Sequence, residues 1–180
     1  RRLGLVIVGG QDWAIELAAI LKKKGITVLL IDTNKAHIIA AKEEGVPVLQ
    51  GSVLADTVKE EIELGGYGKL MTLTSSDELN LLTVNDYLPI LGRVGVYRLW
   101  PVDKTMAQSV NAQTGKVVFG KGTTYPLIDA RYTSGARVRA ITLKKTLTFQ
   151  DLIKKYPRAM PLCVMTQKKT LLIFNHEKPL

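Results

Sequence analysis

Leu5-Val6-Ile7-Val8-Gly9-Gly10-Gln11-Asp12-Trp13-Ala14 runs an apolar strand into a glycine turn and the start of a helix. An unbroken apolar run is what a strand buried on both faces of a parallel sheet requires. The residues that follow set Ala14, Leu17, Ala18 and Leu21 on one stripe at i, i+3, i+4 and i+7, the period of an amphipathic helix. Lys22-Lys23-Lys24 complements the C-terminal end of that helix dipole, and Gly25 ends it. In the pattern G-x-G-x-x-G at such a turn, the first Gly makes the turn and the second lets backbone approach a pyrophosphate. The third packs helix on strand. Here those slots hold Gly9, Gln11 and Ala14. The next strand closes on an acid, Leu29-Leu30-Ile31-Asp32-Thr33-Asn34, 23 positions after Gly9. That is close to the spacing of about 20 expected of a carboxylate that holds ribose hydroxyls. A nucleotide-binding crevice is expected, with less room for a flat dinucleotide diphosphate than the full glycine pattern gives.

The strand–turn–helix unit repeats outward from this point. Strands are expected at Leu3–Val8, Thr27–Ile31, Val46–Leu49, Leu70–Thr74 and Val94–Leu99. Helices are expected from Lys35 to Glu44, near Asp56–Leu64, and from Ser75 or Ser76 as N-cap to Leu91. A sixth helix, Lys104–Gln113, and a sixth strand, Lys116–Phe119, follow Pro101 and Asp103. Right-handed crossovers place helices on both faces of such a sheet, so the fold class is α/β. The architecture is a Rossmann-like, doubly wound parallel sheet of about six strands. After the loop Gly120–Thr124 the texture changes to short strands at Ala136–Leu143, Leu162–Thr166 and Leu171–Asn175, interrupted by one helix at Thr148–Lys155. Gln167-Lys168-Lys169 reads as a hairpin turn between two of them. The expected organisation is a nucleotide-binding domain over 1–120 and a small α+β domain over 121–180.

Charge is divided unevenly along the chain. Residues 1–102 carry 11 Lys+Arg against 12 Asp+Glu, whereas 103–180 carry 14 against 4, so the net charge of +9 sits entirely in the C-terminal segment. That segment fits an anionic membrane surface or an acidic partner; the alternative is a merely solvated face. Nucleic acid is not expected, because the basic residues are not interleaved with stacking aromatics. No apolar run approaches the ~18 residues that a membrane span needs. Arg1-Arg2-Leu3 is no signal peptide and lacks an initiator Met, so the chain is expected to be cut from something longer. The single cysteine, Cys163, lies in the apolar run Pro161-Leu162-Cys163-Val164-Met165 and reads as a buried strand thiol.

Ligands of an open parallel sheet bind beyond the carboxyl ends of its strands. That gathers the loops Gly9–Trp13, Asp32–Asn34, Gly51–Val53 and Thr74–Asp77. Gly9 and Gly10 expose backbone N–H groups to a phosphate at a helix N-terminus. Asp12, at the same helix end, opposes phosphate charge and favours a ligand with few phosphates. Gln11 can bond a phosphate or sugar, but it also narrows the cleft. Asp32 can accept two hydrogen bonds from a ribose diol and would repel a 2′-phosphate; its other role is N-cap of the next helix. Trp13 is either core or an aromatic wall of the site, and Ser75 and Ser76 either cap or donate to phosphate. His37 and His176 lack metal-ligand spacing and read as solvated surface. G-x-S-x-G, a Walker lysine and paired acids are all missing, so an enzyme is not expected.

Four segments in order, strand-Gly9-Gly10, Ile31-Asp32-Thr33-Asn34, Glu44-Gly45-Val46-Pro47-Val48-Leu49-Gln50-Gly51-Ser52 and Leu73-Thr74-Ser75-Ser76-Asp77-Glu78-Leu79-Asn80-Leu81-Leu82, resemble the TrkA N-terminal (RCK) domain over residues 3–119. This is the cytoplasmic regulator of potassium channels, potassium uptake systems and cation/proton antiporters. Gly10-Gln11-Asp12-Trp13-Ala14, Ala136–Leu143, Thr148-Phe149-Gln150-Asp151-Leu152 and Ala159-Met160-Pro161-Leu162 resemble the soluble tail of bacterial sodium/proton antiporters. The resemblance implies that Asp32, with Thr33 and Asn34, holds ribose and that Gly10–Asp12 meet phosphate. Ser52 and Val53 would flank adenine, and Thr74 and Ser75 would close the far side. The family usually has glycines where Gln11 and Ala14 stand and an acid where Ser52 stands, so AMP or ATP fits better than NAD. It implies a regulatory domain on the cytoplasmic face of the bacterial inner membrane, coupled to a transmembrane antiporter domain of the same polypeptide, and a homodimer. The rival readings are an NAD-dependent oxidoreductase domain and a ligand-free dimerisation module.

Overall fold

The structure, a computed structural model, describes residues 3–111 and 113–177. The arginines expected to begin a longer chain, one residue of the expected helix Lys104–Gln113 and the tail from Lys178 lie outside the described residues.

Six strands form one parallel sheet: β1 (Gly4–Val8), β2 (Val28–Asp32), β3 (Val48–Gln50), β4 (Tyr67–Thr72), β5 (Val96–Arg98) and β6 (Lys116–Val117). Their order is β3-β2-β1-β4-β5-β6, so the chain reverses direction across the sheet between β1 and β4. The crossovers are α1 (Asp12–Lys23), α2 (Lys35–Glu43), α3 (Asp56–Leu64), α4 (Asp77–Leu91) and α5 (Lys104–Gln108). This is the doubly wound, Rossmann-like architecture expected from the sequence.

The side-chain alternation of β1 explains the two-layered core. Leu5 and Ile7 join Ala14, Leu17, Ala18 and Leu21 of α1 in one cluster. Val6 and Val8 point the other way, into a cluster with Val58 and Ile62 of α3 and Val84 and Tyr87 of α4. β1 is therefore buried along its whole length and positions the glycine turn rigidly.

Beyond β6 the chain forms α6 (Tyr125–Thr133), α7 (Phe149–Lys155) and an antiparallel hairpin of β7 (Cys163–Met165) and β8 (Leu171–Ile173). Leu171 and Ile173 pack into the same cluster as Leu5 and Ile7. The residues after β8 cover the outer edge of β6: Phe119 N–H donates to Phe174 O at 2.8 Å and His176 N–H to Val117 O at 3.0 Å.

Three readings are corrected here. Residues 125–133 are helical: Thr124 accepts from Leu127 N–H as N-cap, and Pro126 in the first turn presets the backbone. Residues 136–143 form no strand; the Val138 N–H donates to Glu16 Oε1 of α1 instead of to a sheet partner. His176, read as solvated surface, instead accepts from Val117 N–H through Nδ1 at 2.9 Å.

Candidate functional site

The turn after β1 is locked from two sides. Gly9 has φ +115°, and a Cβ there would stand 2.8 Å from Gln11 Oε1 and 3.2 Å from Leu73 O. A Cβ on Gly10 would stand 2.8 Å from His37 Cβ and 3.1 Å from Asp32 Oδ2. The close approach of Gly10 to Asp32 has a purpose: Gly10 N–H donates to Asp32 Oδ2 at 2.7 Å.

Asp32 ends β2 with both oxygens engaged. Oδ1 accepts from Asn34 N–H at 2.9 Å, and His37 Nδ1 lies 2.8 Å from Oδ2. Burial works against the charged carboxylate. The hydrogen bonds from Asn34, His37 and Gly10, with the charge of His37, outweigh it and hold the pKa below the ordinary carboxylate value. A carboxylate offers about four acceptor sites, so one remains, on Oδ1. That corrects the expectation of two free sites for a ribose diol. The N-cap of α2 is Asn34, whose Oδ1 accepts from Ala36 and His37 N–H; Asp32 does not cap it. His37, expected to be solvated, is drawn back onto the strand end, because a side chain in the first turn of a helix reaches the preceding loop.

Gln11 fills the slot that its position in the pattern suggests. Its Nε2 donates to Leu73 O at 2.7 Å, so the side chain bridges from the β1 turn to the end of β4. That bridge lies across the point where the strand order reverses. What remains is a cleft of about 290 Å³ over the ends of β1, β2 and β3, with the loop after β4, Thr74–Ser76, as its far wall. Of the residues expected at the site, Gly9, Gln11, Asp32, Thr33, Asn34, Ser52, Val53, Thr74 and Ser75 line it. Gly10 is buried behind Asp32, and Asp12 lines a different hollow, between α1, α2 and α6, with Glu16 and Tyr132. Trp13 is core, 4% exposed.

The walls are held from behind. Asn80, buried in α4, accepts from Thr72 Oγ1 at 2.9 Å, Thr74 N–H at 3.2 Å and Thr74 Oγ1 at 2.6 Å; its amide donates back to Thr74 O. The Thr74 proton is thus committed and its oxygen accepts from Ser76 N–H at 3.3 Å, which leaves that hydroxyl one acceptor site. Ser76 caps α4 by accepting from Leu79 N–H at 3.1 Å, and Ser75 is exposed at the rim. Ser52 Oγ accepts from Leu54 N–H, and Tyr87 O–H donates to Val53 O at 2.8 Å. Burial pushes the Tyr87 phenol pKa upward, so it stays a donor. Tyr125, which no motif singles out, also lines the cleft. Among the described residues no cluster of three His, Cys, Asp or Glu side chains could hold a metal ion.

Set against known proteins, this geometry has clear relatives. Residues 5–86 match the TrkA-N domain family. The match spans every strand end that builds the cleft. Among solved structures the chain resembles the NAD(P)-binding domain of an exopolyphosphatase-related protein from Archaeoglobus fulgidus. It shares 18% identity over 74% of this chain and 96% of that one, at a TM-score of 0.53. An imine reductase from Pseudomonas sp. matches at 13% identity and a TM-score of 0.42; the alignment covers 87% of this chain and 61% of the reductase. At 18% identity the likeness to the Archaeoglobus domain shows the Rossmann-like fold alone. No curated protein matches the chain. Among the described residues, no helix is long and apolar enough to cross a membrane.

Proposed function

We propose that this chain is a nucleotide-sensing regulatory domain of a membrane cation/proton antiporter, binding an adenosine nucleotide without turning it over. The carrying observation is the Gln11 bridge to Leu73 O beside Asp32. It leaves a cleft near the small end of ligand sites, about 300–1,000 Å³. The remaining acceptor site of Asp32 would take one ribose hydroxyl, Ser52 and Val53 would flank the base, and the N–H groups at the start of α1 would meet phosphate. AMP or ATP would fit between Asp32 and the Thr74–Ser76 wall without passing beyond it toward β5. The TrkA-N match supports the regulatory role, and regulation would require the nucleotide to bind two arrangements of the protein with different affinity. The antiporter's transmembrane domain, a second copy and the inner face of the membrane would be its partners and place.

A second reading, an NAD-binding domain with or without redox chemistry, is favoured by the Archaeoglobus neighbour described as NAD(P)-binding. Calorimetric titration with AMP, ATP, NAD and NADH separates the two, with Asp32→Ala and Gln11→Gly as variants. Micromolar AMP or ATP binding that Asp32→Ala abolishes supports the first reading. Tight NAD binding by the unmodified chain supports the second. Under the first reading Gln11→Gly gains NAD affinity, because the crossing point is opened. Silence from all four nucleotides overturns both.

A further inference from the structure

Tyr125 lies beyond the segment that matches the TrkA-N family, yet it lines the same cleft as Asp32, Ser52 and Thr74. It gets there because α6 lies against α1. The Tyr125 ring rests tilted on Trp13 with centroids 5.6 Å apart, and Ile128 and Tyr132 follow at i+3 and i+7, packed on the same core cluster. Burial first, then the charges of Asp129, Asp12 and Asp32, raise the Tyr125 phenol pKa, so the group faces the cleft as a protonated O–H donor.

The far end of α6 is fastened separately. Tyr132 O–H donates to Glu16 Oε2 at 2.7 Å, and Val138 N–H donates to Glu16 Oε1 at 2.6 Å. One α1 carboxylate therefore ties down both the end of α6 and the extended segment after it. The guanidinium of Arg137 stacks 4.3 Å from the Tyr132 ring centroid over the same joint. Between these fastenings no residue of α6 is fully buried. An element with so few buried contacts opens at low free-energy cost, and a ligand touching it shifts its population readily.

We propose that Tyr125 is a nucleotide-contacting residue, its ring and hydroxyl forming the outer wall of the cleft, and that α6 closes on the bound nucleoside. The inference rests on the nucleotide reading given above. Closure is transmitted through Glu16 to residues 136–143, which carry Arg137 and Arg139, so occupancy of the cleft reaches the basic segment of the chain.

Hydrogen-exchange mass spectrometry of the whole chain, with and without saturating AMP and separately NAD, tests this. Exchange in residues 125–138 should slow about tenfold with the nucleotide that binds, alongside the loops at Asp32 and Thr74. Tyr125→Ala should weaken that nucleotide by about tenfold, the scale of one lost base–aromatic contact. Tyr125→Phe, which keeps the packing on Trp13, should fall between and guards against a folding defect in the alanine variant. Glu16→Ala should retain binding and protection of 125–131 while residues 134–143 cease to respond. Protection of the Asp32 and Thr74 loops with no change over 125–138, or unchanged affinity in Tyr125→Ala, overturns this inference and leaves the nucleotide reading standing. Absence of binding and of protection anywhere overturns both.

Discussion

Asp32 turns three of its four acceptor sites toward the protein: Gly10 and Asn34 N–H and the His37 ring. The carboxylate holds the turn that a ligand's phosphate would meet as well as the strand end that would meet its ribose. Truncating it would remove the acceptor proposed for a ribose hydroxyl and also release the Gly10 amide. Tyr87 has a comparable role deeper in the fold, where a fully buried hydroxyl fixes the Val53 carbonyl at the Ser52–Val53 wall of the cleft. Tyr87→Phe keeps the ring and its packing but leaves that carbonyl without its donor. Leaving a buried acceptor unpaired costs about 1–3 kcal/mol. Urea unfolding should register a loss of that size with an unchanged m-value. A loss of only a few tenths of a kcal/mol would mean that another donor takes the place of the hydroxyl.

At the scale of elements, the edge of β6 is closed by residues 174–176, and His176 is the titratable member of that closure. Its Nδ1 accepts from Val117 N–H, which requires a lone pair and so a neutral ring on that nitrogen. Burial lowers its pKa; Arg98 and Lys116 push the same way, and Glu177 opposes them. A histidine whose folded pKa lies below its unfolded value contributes stability that is fully present above about pH 6.5 and is lost as pH falls toward the folded pKa. The difference in unfolding free energy between the wild type and His176→Gln should therefore shrink as pH falls from 7.5 to 5. A difference that stays flat over that range would refute the neutral acceptor role. Residues 136–143 form no strand. They alternate as a strand does, but alternation says nothing about whether a sheet edge is free to pair with. Helix α6 was missed although Thr124 and Pro126 mark its start, whereas the placement of Tyr125 in the cleft depends on packing across α1, which no local pattern encodes. The parallel sheet and the cleft-lining residues from Gly9 to Ser75 were readable because the fold itself brings strand ends together. The sharing of Asp32 with His37 was not, since it depends on which way one first-turn side chain turns.

For the whole molecule, the dominant feature is the split in charge between a near-neutral sheet domain and a strongly basic remainder. Between residues 125 and 160 that remainder has no fully buried residue, and Ile141, Leu143 and Tyr156 are 45%, 42% and 39% exposed. Arg137, Arg139, Lys144, Lys145, Lys154 and Lys155 lie on or beside the same segments. Basic side chains with apolar neighbours suit an anionic lipid surface, where each cation near the headgroups contributes about 1 kcal/mol and the attraction decays within a Debye length of about 10 Å at 0.1 M salt. Co-sedimentation with vesicles containing anionic lipid should recover the chain at low salt, about 0.05 M. Recovery should be mostly lost at about 0.5 M, and vesicles of purely zwitterionic lipid should recover none at either salt. Lys144→Glu with Lys145→Glu should weaken recovery at low salt without changing thermal stability, because both side chains are exposed and neither makes an ion pair among the described residues. Recovery that is indifferent to lipid charge would assign the basic surface to an acidic protein partner, and the membrane contact would then have to be made elsewhere.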